Sequence, residues 1–333
     1  VTPRVLLVGA GAIGVVYGAT LARAGAEVSY LVRAPRREET LRGTTLTRVG
    51  LLGRRRPERL VPHEVLTTWD EVRCRGFDQV WLAVPTDAID EALVRELASA
   101  LPRRASGEGA LVVTLAPGGR FDALVGAHVP RADIVRGSIA LMCWHAPMEG
   151  SVDPRERATA PGWACLVPPG RGAGFAGERA GEIVRLLRRG GMPAHASPHV
   201  DRMLALDTAA LMPVVLALEA GGWSFREVAR GELAELAVRA GREALAIEAR
   251  RWGIAVPLPE RLFLRPTLLR LLLRLAPRLA PVDLEGFFRA HFLKVRRQTR
   301  LLVDEIAEDG ARAGVPSESL RALAARCPPP RGV

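Results

Sequence analysis

Four consecutive apolar residues, Val5-Leu6-Leu7-Val8, run into a glycine, and residues 15–24 beyond it carry a helix-forming stretch that stops at Gly25. A short unbroken apolar run fits a strand covered on both faces. The alternation continues. Residues 27–33 read as a second strand, and 78–84 as a third, ending at Pro85-Thr86 before a helix over 88–100. Residues 110–115 end at Pro117-Gly118-Gly119, and 134–141 read as a further strand. Shorter strands at 163–167 and 192–196 flank a helix over 178–189. Strands alternating with helices predict a doubly wound parallel sheet, with ligands beyond the carboxyl ends of the strands. The turns after Val8, Val84 and Leu115 then line one crevice.

From about Pro198 the pattern is helical only. Residues 200–220 predict a long buried helix kinked at Pro213 and ended by Gly221-Gly222. Apolar i, i+3, i+4 spacing predicts another over 232–252, stopped by Gly253, and a last long helix over 287–313, ending near Gly314. The fold class is therefore α/β: a Rossmann-type doubly wound domain over 1–197, then an all-helical domain over 198–326. Residues 327–333, with Pro328-Pro329-Pro330, read as a disordered tail. Within 268–279, Arg270, Arg274 and Arg278 recur every four residues on a leucine background. Such a helix lies on a membrane surface or packs on its own protein. Packing is the commoner fate, and no membrane partner is expected.

Gly9-Ala10-Gly11-Ala12-Ile13-Gly14 is a G-x-G-x-x-G turn between the first strand and the first helix. In that context the first glycine permits a tight turn, the second lets backbone approach a pyrophosphate, and the third lets helix pack on strand. Gly18, one helical turn beyond Gly14, extends the close-packing face. A Gly-rich surface loop is the alternative in a chain with 33 glycines. At the end of the second strand, where a carboxylate would hold the ribose hydroxyls of NAD, stands Arg33, with Arg36 and Arg37 behind it. A guanidinium offers paired donors to a 2′-phosphate, so the cofactor is read as NADP(H). The competing account is that arginine is common throughout this chain.

That abundance has a further consequence. Of 47 basic residues only Lys294 is a lysine, so an amine acid can come only from Lys294 or the chain terminus. A net charge of +11 invites a nucleic-acid reading, but the arginines are dispersed, aromatics are only 5%, and runs such as Arg54-Arg55-Arg56 read as solvated loop. The cysteines Cys74, Cys143, Cys165 and Cys327 form no ligand cluster, and no metal is expected. With no stretch read as a membrane span and no signal-peptide pattern, the expectation is a soluble cytoplasmic protein.

A dinucleotide half followed by a helical half resembles ketopantoate reductase (2-dehydropantoate 2-reductase). The likeness rests on residues 8–14, Leu31-Val32-Arg33, Arg136-Gly137-Ser138, Ala209-Ala210-Leu211-Met212-Pro213 and residues 310–316. It implies hydride transfer from NADPH to a 2-oxo acid, a lysine proton donor, and a soluble monomer or homodimer. It also implies that Pro85 and Pro117 stand where family residues meet the cofactor, and that Gln298 takes the place of a glutamate. The family's central-helix lysine falls at about Leu204 and its asparagine at Thr208. Leucine donates no proton, and a proline ring binds no carboxylate.

A replacement set is His291, Lys294 and Gln298, at i, i+3 and i+7 on one helical face. A histidine titrating near neutrality and an amine could protonate an alkoxide and hold a carboxylate. The same residues also fit an ordinary solvated face. Asp207 could face that cleft or pair with an arginine, and His145 is a weaker candidate. Two functions follow: an NADPH-dependent reductase of a small 2-oxo-acid-like carbonyl through a rearranged site, or an inactive NADP(H)-binding sensor or partner subunit.

Overall fold

The computed structural model describes residues 2–101, 109–115, 118–151 and 153–328. They form two compact units, Val1–Pro147 with Ala158–Asp201, and Met148–Arg157 with Arg202–Val333. The strands among the described residues are β1 (Arg4–Val8), β2 (Glu27–Leu31), β3 (Thr44–Val49), β4 (Arg55–Leu60), β5 (Glu64–Leu66), β6 (Gln79–Leu82), β7 (Leu111–Thr114), β8 (Ile134–Gly137), β9 (Met142–Ala146), β10 (Gly162–Leu166), β11 (Ala173–Ala176) and β12 (Ala194–Ala196). The first helices are α1 (Ala12–Arg23), α2 (Arg37–Leu41), α3 (Trp69–Arg73), α4 (Glu91–Ala100), α5 (Gly119–His128), α6 (Pro154–Arg157) and α7 (Ala180–Arg189). Of these, α6 falls in the second unit.

The main sheet has eight strands in the order β12-β11-β8-β7-β6-β1-β2-β5. All its pairings are parallel except β8 with β11. Strand order reverses at β1, with β2 on one side and β6 on the other, and that switch point is where an open α/β sheet takes its ligand. The sheet is buried on both faces, which is why its strands read as unbroken apolar runs. One face carries Tyr17, Trp81 and Phe175, with ring centroids 5.2 and 6.2 Å apart in succession. The other packs Leu6, Val80 and Leu82 against Val94, Leu97 and Phe121.

A second, four-stranded sheet, β4-β3-β10-β9, covers part of this unit. It changes three sequence expectations. Residues 163–167 were expected beside α7, but β10 pairs with β3 and β9 instead. Of the run expected over 134–141 only Ile134–Gly137 is strand, as β8 of the main sheet, and the next strand, β9 of the second sheet, starts at Met142. Arg55 and Arg56, expected in a solvated loop, lie in β4, where Arg55 Nε donates to Thr159 Oγ1 at 2.7 Å. An edge strand tolerates such charge on its open side.

The second unit is helical: α8 (Val200–Ala220), α9 (Phe225–Arg230), α10 (Leu233–Trp252), α11 (Leu258–Phe263), α12 (Pro266–Leu279), α13 (Leu284–Lys294), α14 (Arg296–Ala313) and α15 (Glu318–Ala325). Helix α8 continues through Pro213. It is long and apolar enough to cross a membrane by length and composition, contrary to the sequence expectation, yet 61% of its apolar window is buried in this unit's core. Helix α10 ends where Gly253 adopts φ +61°, and it packs on α14 and α15. The single helix expected over 287–313 is two, because Val295 leaves helical geometry at φ −104°, ψ 25°. Cys327, expected in the disordered tail, is buried, and its Sγ donates to the Leu216 carbonyl at 3.3 Å. Residues 329–333 lie outside the described residues. All four cysteines are free, and burial pushes the Cys165 thiol up to about 12 and the Cys327 thiol up to about 11.

Candidate functional site

The three motif glycines have separate physical roles. Gly9 adopts φ +103°, and a Cβ there would stand 2.9 Å from Val84 Cγ1. The turn therefore runs tight against the chain leaving β6. Two backbone hydrogen bonds tie these neighbours together, Gly9 N to the Leu31 carbonyl and Ala83 N to the Val8 carbonyl, each at 3.0 Å. A Cβ on Gly14 would fall 2.1 Å from the Gly9 carbonyl oxygen, so α1 sits directly on the turn. Gly18 extends that contact, since a Cβ there would overlap the Tyr30 hydroxyl at 2.0 Å.

Gly11 differs from the other two. It caps α1 with extended backbone (φ −83°, ψ −169°), and a Cβ would meet no protein atom within 4 Å. No side chain caps the helix, and its first turn carries no acidic residue. Open space thus lies over backbone N–H groups at the positive end of a twelve-residue helix, an arrangement that suits a diphosphate. Ala10, Ala12 and Ile13 supply the remaining backbone of this cradle, and Ala12 and Ile13 begin the helix.

Tyr30 supports the turn in a way the motif does not reveal. Its buried hydroxyl donates to the Gly14 carbonyl at 3.1 Å, and burial raises its pKa above the ordinary range. A tyrosine alternating inward on the second strand was the available signal. At the end of β7 the buried Thr114 hydroxyl, also missed, has no hydrogen-bond partner among the described residues.

Arg33 lies two residues beyond β2 and is exposed. It makes no ion pair with any described residue, whereas Arg36 pairs with Glu39 at 3.1 Å and Arg37 with Glu71 at 3.9 Å. Of the three arginines expected near a 2′-phosphate, Arg33 is thus the one whose charge no carboxylate offsets among the described residues. Pro85 is exposed in the turn after β6, next to Val84. Pro117 lies outside the described residues. A small cavity of about 70 Å³ lined by Ala10, Tyr30, Arg36 and Trp163 is too small for a nucleotide.

His291, Lys294 and Gln298 all belong to the helical unit, but the break at Val295 separates them. His291 and Lys294 share α13, and Gln298 is on α14. Leu204, Asp207 and Thr208 lie on α8. Asp207 is open to solvent yet recessed, and desolvation with the nearby Glu260 carboxylate raises its pKa. His145 is exposed on β9 with its ring edge-on to Trp163 at 5.4 Å, in the second sheet rather than at a main-sheet strand end.

His291 does not titrate near neutrality, contrary to expectation. Its ring stacks on Phe287 (centroids 5.4 Å apart, 15° between planes) and meets Phe292 edge-on at 4.9 Å. Burial, then the Lys294 charge, pulls its pKa from 6.5 down to about 4. The imidazole is therefore neutral at pH 7. Between pH 6.5 and about 4 the unfolded chain takes up a proton that the native ring refuses. Stability should fall as pH drops through that window, by ~3 kcal/mol at most. Denaturant melts of the parent and His291→Gln across the window check this; equal slopes for the two proteins would remove the assignment.

Comparison with known proteins agrees with the fold. Residues 5–146 match the family model described as ketopantoate reductase PanE/ApbA. A PanE/ApbA family ketopantoate reductase from Ralstonia eutropha JMP134 superposes with TM-score 0.66 at 19% identity, covering 97% of this chain and 96% of that one. The 2-dehydropantoate 2-reductase from Porphyromonas gingivalis W83 gives 0.61 at 16% identity, with 98% and 99% covered. D-mandelate dehydrogenase, solved with NADH and anilino(oxo)acetate, gives 0.69 at 13% identity, with 97% and 96% covered. No curated protein sequence matches the chain. Residues 5–146 thus resemble the ketopantoate reductase PanE/ApbA family, and the chain shares its fold with these solved structures over nearly its whole length.

Proposed function

We propose that this chain binds NADP(H) and reduces the carbonyl of a small 2-oxo-acid-like substrate. The observation that carries the cofactor choice is Arg33: exposed, just past β2, and without an ion pair among the described residues. The diphosphate lies over Gly9 to Gly14, with its charge on the amides at the start of α1. The 2′-phosphate lies against Arg33, and Pro85, in the turn after β6, lies further along the cofactor. Reduced nicotinamide, when bound, supplies the hydride. On the substrate side Lys294 holds the carboxylate or delivers the proton, because a neutral His291 is a hydrogen-bonding group rather than an acid. The oxo-acid ligand named for the D-mandelate dehydrogenase structure accords with this substrate class.

A second reading has its own support. Leucine at position 204 and a histidine held neutral both reduce the proton-donating capacity of the helical unit. A cofactor-binding sensor or partner subunit would need no donor. Single-turnover mixing of the NADPH complex with a panel of 2-oxo acids separates the two. Reductase function predicts loss of NADPH absorbance with at least one oxo acid, slowed in Lys294→Ala. Tight NADPH binding without turnover on any of them would move the chain to the second reading.

A further inference from the structure

Helix α12 has three faces rather than two. Leu269 and Leu273 are buried and hold it on α9 and α10. At 100° per residue, Arg270, Arg274 and Arg278 form a ridge along one flank. Leu271, Leu272, Leu275 and Leu279 form a second ridge, and all four are exposed, Leu271 by 50% and Leu279 by 76%. A helix packed only on its own protein has no use for this second ridge.

The charge beside the leucines is one-sided. Residues 261–282 contain five arginines and no acidic residue. Arg270 is offset by Glu235 at 3.0 Å, while Arg261, Arg265, Arg274 and Arg278 are exposed and make no ion pair with a described residue. A second copy of this chain is a poor occupant. Packing the leucine ridges about a two-fold axis would bring arginine ridges together, with no carboxylate on the helix to separate them. An anionic lipid surface meets both demands, with headgroup phosphates against guanidinium and acyl chains around leucine. The arginine stems are long enough to reach headgroups while the leucines enter the apolar boundary. The helix is already folded and anchored, so docking orders no new backbone.

We infer that the exposed face of α12 docks this protein on anionic membrane surfaces, which revises the sequence expectation of no membrane partner. Co-sedimentation with vesicles of phosphatidylcholine, alone or mixed with phosphatidylglycerol, tests it on the full chain. The parent should bind the mixed vesicles and not the neutral ones. Leu271→Ser/Leu275→Ser and Arg274→Glu/Arg278→Glu should each lower binding at least about tenfold, with folding checked by circular dichroism. Arg185→Glu/Arg189→Glu makes the same charge change at exposed positions on α7 and should retain most of the binding. The inference fails if no vesicle is bound, if the leucine pair makes no difference, or if the α7 pair loses as much as the α12 pair. It also fails if ultracentrifugation shows a dimer abolished by the leucine substitutions while vesicles stay unbound.

Discussion

Arg33→Asp should weaken NADPH binding by about a hundredfold and leave NADH binding within a few-fold. A charge-assisted hydrogen bond contributes about 1.5–3 kcal/mol, and a guanidinium can present two to one phosphate. Aspartate removes them and places like charge beside the 2′-phosphate, yet it can accept hydrogen bonds from the ribose hydroxyls of NADH. The fold should not register the change, because the side chain is exposed and has no ion-pair partner among the described residues. Arg36→Asp is the internal control. It breaks an exposed pair with Glu39, a contact of little energetic consequence, and should alter NADPH affinity less than about threefold. Calorimetric titration of the three proteins with both coenzymes decides the matter. If Arg36→Asp carried the loss and Arg33→Asp did not, the phosphate would have been placed on the wrong arginine.

The dinucleotide turn is legible in the sequence because its requirements are local. A buried strand, three glycines at fixed spacing and a helix all lie within residues 4–23, and each glycine meets a steric demand set by its neighbours. The second sheet is not legible in the same way. β3 pairs with β10 across more than a hundred residues, and the Arg-rich β4 has the composition of a loop. Its strand character comes from six residues of antiparallel pairing with β3 in one hairpin, which its charged composition does not signal. The break at Val295 is equally hidden, since no glycine or proline marks it. Spacing therefore suggested one face for His291, Lys294 and Gln298 where the backbone provides two helices. His291 shows the same limit in its chemistry. Its spacing suggested a titrating group, but Phe287 and Phe292 against its ring set its protonation. The leucines of α12 show the limit from the other side. The four-residue arginine spacing on a leucine background is plain in the sequence, but which leucines the fold leaves uncovered is a tertiary fact.

The strongest separation of binding from folding should come from Gly11→Val set beside Gly14→Val. Position 11 has φ −83° and ψ −169°, a conformation open to any L residue, and an added side chain would enter empty space. Its stability should stay within about 0.5 kcal/mol of the parent, as for exposed substitutions generally. The same side chain would occupy the volume over the α1 amides where the diphosphate has to lie. Dinucleotide affinity should then drop by more than about a hundredfold, for NADPH and NADH alike, because the obstruction precedes any choice at the ribose. Position 14 reverses the outcome. There a Cβ lies 2.1 Å from the Gly9 carbonyl oxygen, a backbone atom that cannot swing aside without lifting α1 off the turn. Gly14→Val should cost several kcal/mol, about 3 or more, through overpacking and a displaced helix. Denaturant melts and coenzyme titration on both variants give four readings. A Gly11→Val protein that is folded like the parent and still binds NADPH normally would show that nothing anionic sits over α1, and the cofactor assignment would go with it.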